Sequence, residues 1–220
     1  MANARQFMAA RAGAWSPSGA PLPYDSEVEW IGNNSNYRDV RIDTGWLVKE
    51  HDEFFAMFSV NVFSSWIAVF NVTNSDSQYD MAAIRMRLQN QIALSFCASS
   101  AILHTITDLN GMNIVRMSFD SATVNDVDYQ FSRSTYTLPR DPIHLFCQVT
   151  NGSFDGVRHF NGKLYSFSIK RSGVLSLDLI PVRFTNENGV SEGAMYDRVS
   201  GQLFRNAGTD AFIVGPDKTT

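Results

Sequence analysis

From residue 24 onward the chain is a succession of short apolar segments without a helical period, divided by clusters of Asn, Asp, Gly and Ser. In "MAAIRMRLQ", Ile84, Met86 and Leu88 alternate with Arg85, Arg87 and Gln89; in "KLYSFSIKR", Tyr165, Phe167 and Ile169 alternate with Ser166, Ser168 and Lys170. A period of two sends successive side chains to opposite faces, so both segments read as half-buried strands with the polar set toward water. Further strands are expected at 28–31, 40–42, 54–63, 66–72, 92–97, 102–107, 113–119, 143–149, 175–184, 202–205 and 211–214. Between them stand "TNSDSQYD", "DLNGM", "TNGSFDG" and "TNENG", residues that accept positive φ or bond nearby backbone. About a dozen strands with no long helix between them predict an all-β fold of antiparallel sheets, a sandwich or barrel.

Residues 1–23 differ. A short helix is expected over 3–14, with Phe7, Ala10, Arg11 and Ala14 on one side, and "SPSGAPLP" then breaks it. This divides the chain into an amino-terminal arm with a Pro-rich linker, 1–23, and one β domain, 24–220. With 44% apolar residues, the chain as a whole can fill a real core. The net charge of −4 comes with scattered Lys and Arg, against nucleic acid as a partner. No apolar run approaches the ~18 residues of a membrane span, and the longest in the arm, 7–10, falls short of a secretory core of ~7 to 15. Cys97 and Cys147 each sit inside an apolar run and read as small buried hydrophobes, not a disulfide pair. The sequons at Asn33, Asn71 and Asn151 are expected to carry nothing in a chain this rich in Asn, Ser and Thr.

The densest polar grouping is "GAMYDRVSGQLFRNAGTDAFIVG", residues 193–215. Two consecutive tight turns account for it: Asp197 accepts backbone N–H groups at the start of the first and Gly201 supplies a positive φ at its end, while Asn206 and Gly208 repeat the arrangement.

The same stretch, with "LYSFSIK" and "DLIPVR" before it, resembles the ending of laminin G-like, concanavalin A-like jelly-roll domains of phage, prophage and gut-bacterial surface proteins. The shared pieces are the "G-x-MYD" turn and the "F-x-NAGT-x-F-x-x-G" close; "VEWIG" followed by "VRIDTG" resembles the family's opening. The arm ending in "PLPYDSEVEW" resembles a leader of virion-related members. The resemblance implies a jelly-roll β-sandwich behind a short arm. It also implies a non-catalytic role on a phage or prophage particle, as capsid decoration, fibre or host-surface attachment, with glycan as a ligand. Other virion proteins or neighbouring copies are the expected partners of the arm, giving a homo-oligomer. The rival readings are a carbohydrate-binding module of a bacterial cell surface and a glycoside hydrolase on the same fold.

Jelly-roll glucanases resemble one another in a Glu-x-Asp-x-x-Glu strand motif that sets two carboxylates on one face. Here "EHDEFF" carries Glu50 and Asp52, but Phe55 stands where the second glutamate belongs, so no catalytic residue is assigned. His51, His104, His144 and His159 lack metal-ligand spacing, and no nucleotide loop or nucleophile elbow occurs, so neither a metal nor a cofactor is expected. Asp76, Asp80, Asp126 and Asp128 offer loop oxygens without matching a calcium template and read as turn residues. For a glycan, the aromatics beside expected loops are Trp66, Tyr79 and Tyr129. Trp30, Trp46 and Trp66 stand next to strands, where a tryptophan more often fills the core.

Overall fold

The computed structural model describes residues 22–219, except 36–38, 62–66, 75–80, 88–89, 99, 109–110, 134, 151–152 and 155–158. The expected helix at 3–14 and most of the arm lie outside the described residues. In chain order the strands are β1 (Ser26–Glu27), β2 (Ile31–Asn33), β3 (Ile42–Leu47), β4 (Asp52–Val60), β5 (Ala68–Thr73), β6 (Met81–Arg87), β7 (Gln91–Phe96), β8 (Ile102–Thr105), β9 (Asn113–Met117) and β10 (Ser121–Val124). They continue as β11 (Val127–Gln130), β12 (Pro142–Leu145), β13 (Gln148–Thr150), β14 (Ser153–Phe154), β15 (Gly162–Arg171), β16 (Val174–Thr185), β17 (Ser191–Asp197), β18 (Leu203–Arg205) and β19 (Ile213–Val214).

They form two sheets, and the described residues contain no helix. The first runs β11-β10-β9-β4-β15-β16-β17-β18, with β1 on β16, β2 on β15 and β19 on β2; the second runs β14-β13-β5-β6-β7-β8, with β12 joining β3 to β5. All pairs are antiparallel except β13, which runs parallel to β5. The result is an all-β, jelly-roll-like sandwich. Its centre is a set of phenylalanines from both sheets: the Phe54 ring of the first lies 5.3 Å from both Phe70 and Phe96 of the second, and Phe167 closes on Phe70 at 5.7 Å. Each is buried, and a ring of this kind stabilises the fold by roughly 1.5–3 kcal/mol.

Three departures from the period-two reading have local causes. The apolar run 143–149 is two strands, not one, because Phe146 takes a φ of 70° and turns the chain, so that β12 runs antiparallel and β13 parallel to the same β5. In β15 a register shift between Leu164 and Ser166 changes the phase; Leu164 enters the core and Tyr165 leaves it half-exposed. In β6 the polar set does not face water: Arg85 is only 6% exposed, and Met81 to Met86 are all buried. This strand is covered on both faces, which alternation alone does not reveal.

Both cysteines are buried free thiols, and burial pushes the Cys147 thiol far up. Asn33 and Asn71 are buried at 2% and 1% exposure, closing both sequons to modification; Asn151 lies outside the described residues.

Candidate functional site

The second sheet brings an unusual set of side chains onto its face away from the phenylalanine core. Phe70 and Val72, Ile84 and Met86, and Leu94 and Phe96 fill the core side; alternation therefore sends Asn71 and Thr73, Ala83 and Arg85, and Ala93 and Ser95 to the other. Strand register aligns Gln148, Asn71, Ala83 and Ser95 in one row across β13, β5, β6 and β7. Three interstrand spacings give the row a length of about 14 Å. Arg85 stands in the next row with Ala93 and Leu103.

The row is sheltered from solvent: Asn71 is 1% exposed, Ser95 0% and Gln148 7%. Among the described residues, neither amide atom of Asn71 and not the Ser95 hydroxyl finds a hydrogen-bond partner. An unpaired buried donor or acceptor costs about 1–3 kcal/mol, and more than nine in ten such groups in folded proteins are paired. These unpaired groups stand on one row, on either side of the small Ala83. Burial and the neighbouring Arg87 push the Arg85 guanidinium down to about 10. Its stem and head thus share the sheltered face with the amides.

The polar stretch 193–215 is structural in its first half as expected. Asp197, 2% exposed, accepts from the backbone N–H of Asp178 at 2.8 Å, Val199 at 3.1 Å and Ser200 at 3.1 Å, and from the Ser200 hydroxyl at 2.6 Å. Gly201 holds a φ of 76° at the end of that hairpin. The second half corrects the expectation of a second hairpin: β19 pairs with β2, not β18. Asn206 Oδ1 accepts from Arg41 N at 2.9 Å and Asp210 Oδ2 from Asp39 N at 2.8 Å, so these residues tie the carboxy-terminal segment to the start of β3. Gly208 is required by close approach, not by positive φ: a Cβ there would stand 1.9 Å from the Asp39 carbonyl oxygen.

The carboxylates of "EHDEFF" do not share one strand face. Asp52 is fully buried and accepts from Trp46 Nε1 at 2.9 Å, Lys49 N at 2.9 Å and the Arg171 guanidinium at 2.7 and 3.0 Å. Glu50 sits in the turn before β4 and accepts from the Tyr136 hydroxyl at 2.5 Å. A shallow cleft of about 370 Å³ opens here, lined by Glu50, His51, Glu53, Phe119, Asp120 and Ser172 among others. Its aromatic face is taken, since the Arg133 guanidinium stacks on Phe119 at 3.5 Å.

Of the three aromatics expected at a glycan site, Trp66 and Tyr79 lie outside the described residues. Tyr129 seals an edge of the sandwich: its hydroxyl meets His104 Nδ1 at 2.8 Å and its ring packs against the core cluster. Trp30 and Trp46 are half-buried, each with a cation over the ring, Lys163 at 4.4 Å and Arg171 at 4.3 Å. Asp126 and Asn125, with φ of 68° and 49°, form the two-residue turn of the β10–β11 hairpin, and Asp128 accepts from the Thr123 hydroxyl at 2.7 Å. Asp76 and Asp80 lie outside the described residues. Asn71, Ser95, Arg85 and Gln148 were missed because each falls inside an apolar segment that reads as ordinary strand. The signal available was that amides and an arginine occupy strands otherwise apolar on both faces.

Fold and site together define a jelly-roll-like β-sandwich protein with a sheltered polar face on one sheet. No family model and no curated protein matches the chain. Among solved structures, it is similar to a mutant NanB sialidase from Streptococcus pneumoniae, at 13% identity and a TM-score of 0.46 over 87% of this chain. The chain spans 39% of the length of that protein.

Proposed function

We propose that the chain is a non-catalytic recognition module of laminin G-like type that binds glycan on the polar face of its second sheet and is carried on a phage or prophage particle. One observation carries the binding site: Asn71 and Ser95 are buried on a single row with unpaired hydrogen-bonding groups. Amide and hydroxyl side chains of this kind pair with the adjacent hydroxyls of a sugar, and a row of about 14 Å receives a short oligosaccharide. The place on a particle rests on the resemblance of the two chain ends, and the arm supplies the contact to neighbouring copies or other virion proteins.

Because the row is shielded, ligand entry requires a displacement of its cover, and association falls below about 10⁵ M⁻¹ s⁻¹. The test is retention of the full chain on a panel of bacterial surface oligosaccharides, with Asn71→Leu as the control. The expected result is slow binding by the parent, lost in Asn71→Leu while the thermal transition is not lowered. Binding that Asn71→Leu leaves untouched, or no retention on any glycan, overturns the reading.

A further inference from the structure

Among the described residues the second sheet ends on β8 and the first on β11, each with a neighbour on one side alone. The Tyr129 hydroxyl of β11, 2.8 Å from His104 Nδ1 of β8, sets these two edges on the same side of the sandwich. Ile106 N–H bonds back to the Asn90 carbonyl at 2.8 Å and Phe131 N–H to that of Asp120 at 2.9 Å. Antiparallel bonds alternate along a strand, so the N–H and C=O groups of Leu103 and Thr105, and of Asp128 and Gln130, point outward. No described strand pairs with them.

Folded proteins usually blunt such an edge with charge, proline or brevity. β8, "ILHT", carries no Lys, Arg, Asp, Glu or Pro, and its Leu103 is 40% exposed. On β11 the Asp128 carboxylate accepts from the Thr123 hydroxyl, and Val127 is 45% exposed. The far ends of the two sheets are blunter: β14 has two residues and β18 has three, Arg205 among them.

An extended peptide fills one edge and leaves the other open, whereas a second copy turned about a two-fold axis normal to the sheets fills both. Such an axis sets each edge antiparallel to its own mate, and the His104–Tyr129 contact marks where one axis serves the two. Leu103 of one copy then stands opposite Thr105 of the other, and Asp128 opposite Gln130, with about eight backbone bonds across the junction. No acid stands directly opposite an acid. Strands of four residues, about 14 Å long, bury well under the ~1,200 Å² of a stable interface, so the junction is weak by itself.

Resting on the reading above that the arm brings neighbouring copies together, we propose that those copies join edge to edge through β8 and β11, both sheets running on from one copy into the next. The arm supplies the local concentration and the edges fix the orientation.

Two single variants of the full chain, Leu103→Cys and Thr105→Cys, test the register. With Cα atoms ~5.5 Å apart the two positions accept a disulfide across the junction, while each lies beyond ~7 Å from its own mate. Under oxygen with a copper catalyst the mixture should cross-link and neither variant alone should; the native Cys97 and Cys147 are buried and add no background. In sedimentation equilibrium Gln130→Asp, which sets acid against acid at Asp128, should weaken association several-fold, and Gln130→Lys should tighten it. A full chain that self-associates while the mixture does not cross-link overturns the edge contact and leaves the arm reading standing. Cross-linking undiminished by Phe7→Ser with Trp15→Ser in both variants keeps the edge contact and removes the arm's part in it. Either cysteine variant linking alone as fast as the mixture overturns the register and the two-edged junction with it. A full chain that neither associates nor cross-links removes both readings.

Discussion

At Asp197 a single carboxylate holds three backbone N–H groups and one hydroxyl, all within a hairpin that is buried at its base. Asp197→Ala leaves these donors unpaired and should cost about 3 kcal/mol in urea unfolding. Gly201→Val forces a β-branched residue to a φ of 76° and should cost about 1–2 kcal/mol, with glycan affinity unchanged for the folded protein in both variants. Asn71 predicts the opposite sign. Replacing its unpaired amide by the similar volume of leucine should raise stability by about 2 kcal/mol, and a loss in the same denaturation experiment would show that the amide is paired in solution. Turn residues were legible because Asp and Gly spacing is a local property. The burial of Asn71 was not, since nothing near it in the chain separates an amide that faces water from one that is buried.

Among the elements, β4 and β15 are joined at one end of the first sheet by Asp52 and Arg171, with Trp46 of β3 beneath the guanidinium. Asp52 is fully buried and Arg171 partly exposed, so Asp52→Ala should cost about 3 kcal/mol, near the low end for a broken buried pair. Carboxylates also stitch the chain ends to the sheets. Asp39 is pushed up by partial burial but held lower overall by its hydrogen bond to Arg41 and that residue's charge; Asp217 is lowered by hydrogen bonds from Ser26 and Arg183. Lowered folded values make both contributions complete above the ordinary aspartate value of about 4 and lost as pH falls through the depressed folded values. Protection of the Ala207, Asp210 and Lys218 amides, relative to intrinsic exchange at each pH, should therefore fall below about pH 4, before that of the core amides of β15. A uniform loss of protection across the molecule would contradict this. Strand positions were mostly legible from alternation, but the hairpin of β10 and β11 was read as an acidic loop because its two-residue turn, Asn125 and Asp126, hid short strands on either side.

For the whole molecule, the committed carboxylates around Asp52 lead to an expectation of catalytic silence: incubation with plant, microbial and mucin glycans should release no reducing ends. Turnover abolished by one Asp or Glu to Ala change would overturn it. The arm is expected to serve assembly. Removal of residues 1–23 should leave the thermal transition of the sandwich nearly intact and abolish self-association, because a helix of ~12 residues is marginal alone and Phe7, Met8 and Trp15 need a partner surface. A truncated chain that fails to fold would place the arm in the core of its own sandwich.

The sequence by itself determined the all-β class, the turn at Asp197, the burial of both cysteines and much of the strand order in the chain, because these follow from period, turn chemistry and local apolarity. Only the tertiary structure decided that β6 is covered on both faces and that Phe146 folds one apolar run into two strands. It alone brought Gln148, Asn71, Ala83 and Ser95, spread over more than fifty residues, into one row. The physical reason is that strand register and the cover of a sheet's second face are settled between distant segments, and a period of two specifies which side chains share a face but not what that face meets.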